Sequence, residues 1–139
     1  MMDLFGADVP EPARRMTFSS AEVDEIYDHL VGEGELLKDL ASNLEKLQKI
    51  NPNDLSMNAV RKAAWKDFIW VFGIDEPSPI PFDIACDICG ADDECIRAGI
   101  SKAFGNEIRM MHKSLCAQVP HLSQRLTLYL GRYVDLELN

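Results

Sequence analysis

The sequence predicts a mainly α-helical single domain of about five helices that contains a helix-turn-helix-like unit. Three observations carry that expectation. Apolar residues recur at steps of three and four through most of residues 19–118, Gly and Pro separate the stretches with that period, and residues able to cap a helix stand at their starts. The chain has 139 residues, 47% of them apolar, which is enough for one core and leaves little for a second. We therefore divide it into a tail, 1–18, and one globular domain, 19–139. Within the domain we expect an acidic helical hairpin (19–50), a helix-turn-helix-containing core (56–118) and a C-terminal hairpin or strand (119–139).

Each element has a local reason. Residues 1–16 hold Gly6, Pro10 and Pro12 and no apolar period, as expected of a mobile tail. Ser19-Ser20-Ala21-Glu22 is a capping box, after which Val23, Ile26, Tyr27 and Leu30 keep helical spacing until Gly32 and Gly34. A second helix follows from about residue 34 to 50 and ends at Asn51-Pro52. Its Leu37, Leu40, Leu44 and Leu47 alternate by three and four, a seam that either packs within the domain or pairs across the two-fold of a homodimer. These four leucines are the candidate partner-binding stripe.

Ser56 can cap a third helix with Val60, Ala64, Phe68, Val71 and Phe72 inward and Arg61, Lys62 and Lys66 in solvent. Trp65 and Trp70 read as packing residues. Pro77, Pro79 and Pro81 then turn the chain. Helical spacing resumes through Ile100, Phe104, Ile108, Met111 and Leu115, with a break expected near Gly105 and a stop at Pro120. In residues 125–138 Leu126, Leu128 and Leu130, then Val134, Leu136 and Leu138, alternate around Gly131-Arg132. Period two favours a short β-hairpin or one strand; a helix using Leu122, Leu126, Tyr129 and Tyr133 is the alternative.

Residues 81–97, PFDIACDICGADDECIR, decide most of the functional reading. Three of the four cysteines fall here, and C-x-x-C-G is the spacing of a zinc knuckle. On that reading zinc would sit on Cys86, Cys89 and Cys95 with Cys116 or His112 as the fourth ligand. A redox pair is disfavoured, because Asp83 and Asp87 flank the thiols and oppose a thiolate. The packing reading explains more residues and is preferred, with no cofactor. Pro81 opens a short helix with Ile84, Ala85, Ile88 and Cys89 inward, Gly90 supplies a left-handed exit, and Asp92 caps a helix carried into the core by Ile96 and Ile100. Two helices about a glycine turn make a helix-turn-helix.

This stretch resembles a segment of small phage and bacterial proteins with a helix-turn-helix, of pattern PF-x3-C-x3-G-x-D-x3-[ILV]-R. Pro81, Phe82, Cys86, Gly90, Asp92, Ile96 and Arg97 stand at its positions; Cys89, Asp93 and Cys95 depart from the usual leucine, proline and aromatic. The resemblance implies a transcription-regulator type of module from a mobile element. Separately, MDLFG near the start resembles the L-F peptides that dock on the bacterial sliding clamp, without their leading glutamine.

The net charge of −9 argues against unspecific attraction to nucleic acid or to anionic lipid, but the charge is divided. Residues 1–60 carry 12 acids against 5 bases, whereas residues 97–132 carry six bases against Glu107 alone. No run approaches the roughly 18 apolar residues of a membrane span, and the start lacks the pattern of a secretory signal, so a cytoplasmic protein is expected. Neither phosphate-binding glycine loops nor nucleophile or zinc-protease motifs occur, and His29, His112 and His121 lie far apart. The expectation is a non-enzymatic regulator acting on double-stranded DNA or the transcription machinery.

In the DNA reading the helix from Asp92 to about Phe104 enters the major groove. Arg97 and Lys102 would lie nearest the bases, Arg109 and Lys113 on phosphates, and Arg125 and Arg132 behind them. Asp92, Asp93 and Glu94 oppose it, since they stand at the turn that would meet phosphate. The competing reading is an acidic protein-binding inhibitor of a host nucleic-acid-handling complex, an anti-defence or host-takeover protein.

Overall fold

A computed structural model describes Ala21 and residues 35–74 and 78–137 of the chain. The chain is mainly α-helical. Its elements are α1 (Glu35–Gln48), α2 (Ala59–Val71), α3 (Phe82–Ile88), α4 (Asp93–Ala103), α5 (Gly105–Gln118), a 3-10 turn (Pro120–Leu122) and α6 (Ser123–Leu130). No strand occurs among the described residues. Nor, among them, is any helix long and apolar enough to cross a membrane. The expected tail, the capping box at Ser19, the helix of Val23 to Leu30 and the L-F segment lie outside the described residues.

Helix α1 packs on α2 and α3, α2 on α5, α3 on α4, α4 on α5 and α5 on α6. The core lies between them. Phe68 from α2, Phe82 from α3, Ile108 and Met111 from α5, and Leu126 and Leu130 from α6 are all fully buried. Aromatic contacts join elements distant in sequence: Phe68 meets Phe104 at 6.1 Å between centroids, and Phe82 meets Trp70 edge-on at 5.1 Å. Burying side chains of this size stabilises by about 1.5–3 kcal/mol each, so the core fixes how α3 and α4 are presented.

Three local expectations change here. Asn58, not Ser56, caps α2, accepting from the Arg61 amide, because Ser56 is taken by a turn in which Asp54 accepts from both its amide and its hydroxyl. Hydrogen bonding to Ser56 holds the Asp54 carboxyl below its ordinary pKa. The long helical run after Asp92 does break at Phe104, where α4 ends and α5 begins. Residues 123–130 form a helix rather than a hairpin. Leu126 and Leu130 satisfy both periods at once, and they are fully buried one turn apart while Leu128 between them is 58% exposed.

The leucine seam packs within the domain, the first of the two arrangements expected of it: Leu40 and Leu47 are in the core, Leu37 and Leu44 pack against it, and the helix faces α2 and α3. Arg61 is the third change, buried to 3% exposure where solvent was expected.

Candidate functional site

The helix-turn-helix-like unit is built as its sequence suggests at the turn. Gly90 takes φ +72°, a conformation side chains other than glycine rarely adopt, and the Ala91 amide donates back to the Cys86 carbonyl at 2.8 Å. Asp92 then caps α4, accepting from the amides of Glu94 and Cys95 at 3.0 and 3.1 Å. The phase of α3 differs from expectation. Phe82, Ala85 and Cys86, at positions i, i+3 and i+4, face the core, because the large Phe82 ring fills the space beside Trp70. Ile84 and Ile88 are consequently turned outward, 36% and 40% exposed. Beside them Asp83 and Asp87 are exposed as a second stripe one turn apart.

Arg97 points back into the fold. Its Nε donates to the Val71 carbonyl at 2.7 Å, and its Nη1 reaches Asp93 at 2.8 Å and Glu94 at 2.9 Å. The guanidinium lies 5.2 Å from the Phe82 ring centroid. Burial opposes its charge, but the hydrogen bond to Glu94 and the fields of Tyr133, Asp93 and Glu94 outweigh it, and its pKa stands above the ordinary value. Tyr133 closes the network by donating to Glu94 at 2.9 Å; burial and that same carboxylate push the phenol's pKa up. Arg97 thus satisfies a carbonyl at the C-terminal end of α2, where a cation is favoured. A base-reading role would require breaking four contacts.

Four of the other five basic residues fall beside one of two grooves or beside the Tyr129 ring. Lys102 and Arg109 line one groove of about 450 Å³ with Leu55, Phe104 and Met110. Arg109 also donates to the Asp135 carbonyl at 3.3 Å and to Asn106. Arg132 lines a different groove of about 460 Å³ with Asp83, Glu94, Arg97, Tyr129 and Tyr133. Arg125 and Arg132 both lie over the Tyr129 ring, at 5.5 and 5.1 Å. Lys113 is exposed on α5. Lys102 and Arg109 are thus brought together in one groove and Arg97 and Arg132 in another with two carboxylates, while Arg125 meets Arg132 at Tyr129 and Lys113 lines neither groove.

The cysteines are likewise separated by environment. Cys86 is in the core, Cys89 and Cys95 are exposed, Cys116 is half-buried, and none is in a disulfide. Burial, with the Asp93 carboxylate nearby, pushes the Cys86 thiol up to about 11, so at neutral pH it is not the thiolate that nucleophilic chemistry needs. Among the described residues no three His, Cys, Asp or Glu side chains are grouped to hold a metal.

Sequence reasoning missed one polar centre. Arg61, on α2, donates from Nε to Glu107 of α5 at 2.6 Å, and from Nη1 to the carbonyls of Asp54, at 2.9 Å, and Ser56. Trp65 Nε1 donates to the same Glu107 oxygen at 2.7 Å. The signal was present: Glu107 is the one acid among six bases in residues 97–132, and Arg61 begins the i, i+3, i+4, i+7 pattern completed by Ala64, Trp65 and Phe68. A scan against protein families, a search of curated proteins and a search of solved structures each find no match to this chain.

Proposed function

We propose that the chain is a non-enzymatic regulator that acts by binding protein, with the helix-turn-helix-like unit as a scaffold and the outer face of α3 as the contact. The observation that carries this is the state of Arg97: the arginine best placed on α4 to read bases is spent on Val71, Asp93, Glu94 and Phe82. Asp92 caps α4 and Asp93 and Glu94 occupy its first turn, the end that in a DNA reader approaches phosphate, and each repels it. What α3 offers instead is an apolar stripe, Ile84 and Ile88, beside an acidic one, Asp83 and Asp87, suited to a basic surface with an apolar centre. Basic surfaces of that kind are common on nucleic-acid-handling proteins, so the reading favours the inhibitor or host-takeover alternative over a direct operator binder. The fold does not decide between them, since this architecture serves both uses.

Two measurements test the reading. Duplex DNA titrated at about 50 and 200 mM salt should give no retained complex at either. Capture of partners from cells should succeed with the native chain and fail for Ile84→Asp with Ile88→Asp, both exposed and therefore compatible with folding. Retention of DNA, lost with steeply rising salt and weakened by Lys102→Ala or Lys113→Ala, would overturn the proposal in favour of transcription control through DNA.

A further inference from the structure

The large apolar side chains left exposed among the described residues are Leu55, Met57, Ile84, Ile88 and Leu128. Two of them form the α3 stripe, and Leu55 lines the groove between the end of α1, the loop after it and the α4–α5 junction, with Met57 just beyond it in sequence. The two patches carry opposite charge. Beside Ile84 and Ile88 stand Asp83 and Asp87, whereas the groove, with Ile50, Leu55, Phe104 and Met110 as its apolar lining, is bordered by Lys102 and Arg109. Arg61 and Glu107 also line it, but they neutralise each other at 2.6 Å and leave the two outer bases to set its sign.

We infer that the occupant of this groove is the α3 face of a second copy of the chain. The chemistry matches in both respects: a pair of isoleucines one turn apart meets an apolar trough of about 450 Å³, and two carboxylates at the same spacing meet two bases. The face and the groove share no residue, so the contact is heterologous and leaves an associated pair with one free face and one free groove between its two copies. One short helix in one groove is smaller than the roughly 1,200–2,000 Å² of a stable interface, and a net charge of −9 on each copy opposes approach. The association is accordingly weak and concentration-dependent. Because it uses the face proposed above for the target, every α3 face held in a self-contact is lost to the target, and self-association lowers the number of faces available. This last step rests on the α3 reading; the self-contact itself does not depend on any target.

Sedimentation velocity of the purified full-length chain tests it without a partner. From about 10 to 500 µM the average sedimentation coefficient should rise with concentration, as expected of a contact below the usual stable size. Reversing the face, Asp83→Lys with Asp87→Lys, or the groove, Lys102→Glu with Arg109→Glu, should each weaken association at least about tenfold. An equimolar mixture of the two variants should recover it, because the acidic face of one then meets the intact groove of the other and the reversed pair also matches. Should Arg109→Glu unfold the chain, Lys102→Glu with Leu55→Asp, both exposed, replaces it. A native chain that stays monomeric throughout, reversals without effect, or folded variants whose mixture fails to associate would each overturn the inference. A monomeric native chain whose Leu4→Asp, Phe5→Asp variant associates would assign the groove to the chain's own first residues, and would overturn it too. Failure here with intact partner capture leaves the proposed function standing, so the two are separable.

Discussion

Arg61 and Arg97 make the same kind of contact in two different settings. Each reaches carboxylate and a main-chain carbonyl, and each ties α2 to a later helix. Arg61 is 3% exposed against a Glu107 side chain at 14%, whereas the partners of Arg97, Asp93 and Glu94, are 33% and 63% exposed. Removing water from the first pair raises the cost of leaving either member alone; leaving water around the second lets a lost partner be replaced by solvent. The first is a structural joint, and the second a surface network that has withdrawn one arginine from other uses.

The largest effect should therefore come from breaking the buried joint. Glu107→Ala strands the Arg61 charge and the Trp65 indole donor together, and we expect about 3–5 kcal/mol of lost stability by urea unfolding. Arg61→Lys should recover little, because an ammonium cannot supply the forked donors that reach Glu107, Asp54 and Ser56 at once. If Glu107→Ala unfolds at the native urea midpoint, burial is not what distinguishes the two sites.

Next comes the surface network. Arg97→Ala should cost about 1.5–3 kcal/mol, mostly from the Val71 carbonyl and the packing over Phe82, since hydrogen bonds to charged groups are worth about that much and the exposed pairs add little. A duplex-DNA titration of this variant gives the same null result as the native chain if the role is structural. A loss as large as that of Glu107→Ala would erase the contrast drawn above.

These two sites also mark where sequence reading succeeds and where it stops. Helical class, the Gly90 turn, the Asp92 cap and the break before Gly105 depend on local chemistry and were legible. The direction of α3 was not. Ile84 and Ile88 outrank Cys86 in hydrophobicity, but the position of Phe82 against Trp70, set by an element ten residues earlier, turns the helix the other way. The C-terminal leucines misled for a related reason: positions 126 and 130 satisfy a strand and a helix alike, and only contact with α5 decides. Arg61 and Arg97 were read as solvent or nucleic-acid contacts because pairing over 46 residues, or with a main-chain carbonyl 26 residues back, leaves no periodic trace. Candidate site residues were thus legible as charges but not as surfaces.

A smaller effect sharpens the local side of this contrast. At Gly90 a Cβ would meet nothing within 4 Å, so Gly90→Ala tests backbone conformation alone. With φ at +72° we expect a cost of about 1–2 kcal/mol, and Gly90→Asn, which tolerates this region better, should cost less. Equal stability of all three would mean that the turn relaxes rather than holding α3 and α4 at a fixed angle.

The smallest effect concerns a third helix-to-helix polar contact, one that is neutral. His112 on α5 lies with Nε2 2.9 Å from Thr127 Oγ1 on α6, and burial pushes its pKa below the usual 6.5. The folded chain keeps the ring neutral while the unfolded chain takes up a proton at ordinary pH. Between the folded value and 6.5 the unfolded state therefore binds more protons, and stability falls as the pH drops through that window. A ring-proton NMR titration should place the midpoint below 6.5. His112→Asn, which keeps a hydrogen-bonding group towards Thr127 but cannot titrate, should lose less stability than the native chain between about pH 7 and pH 5. The half-buried Asp67 acts in the opposite sense, since partial burial raises its pKa and relieves the fold on acidification, so the comparison is made between variants and not against a flat baseline. Identical losses in the two proteins would show that this contact, unlike the Arg61 joint, is open to water in the folded state.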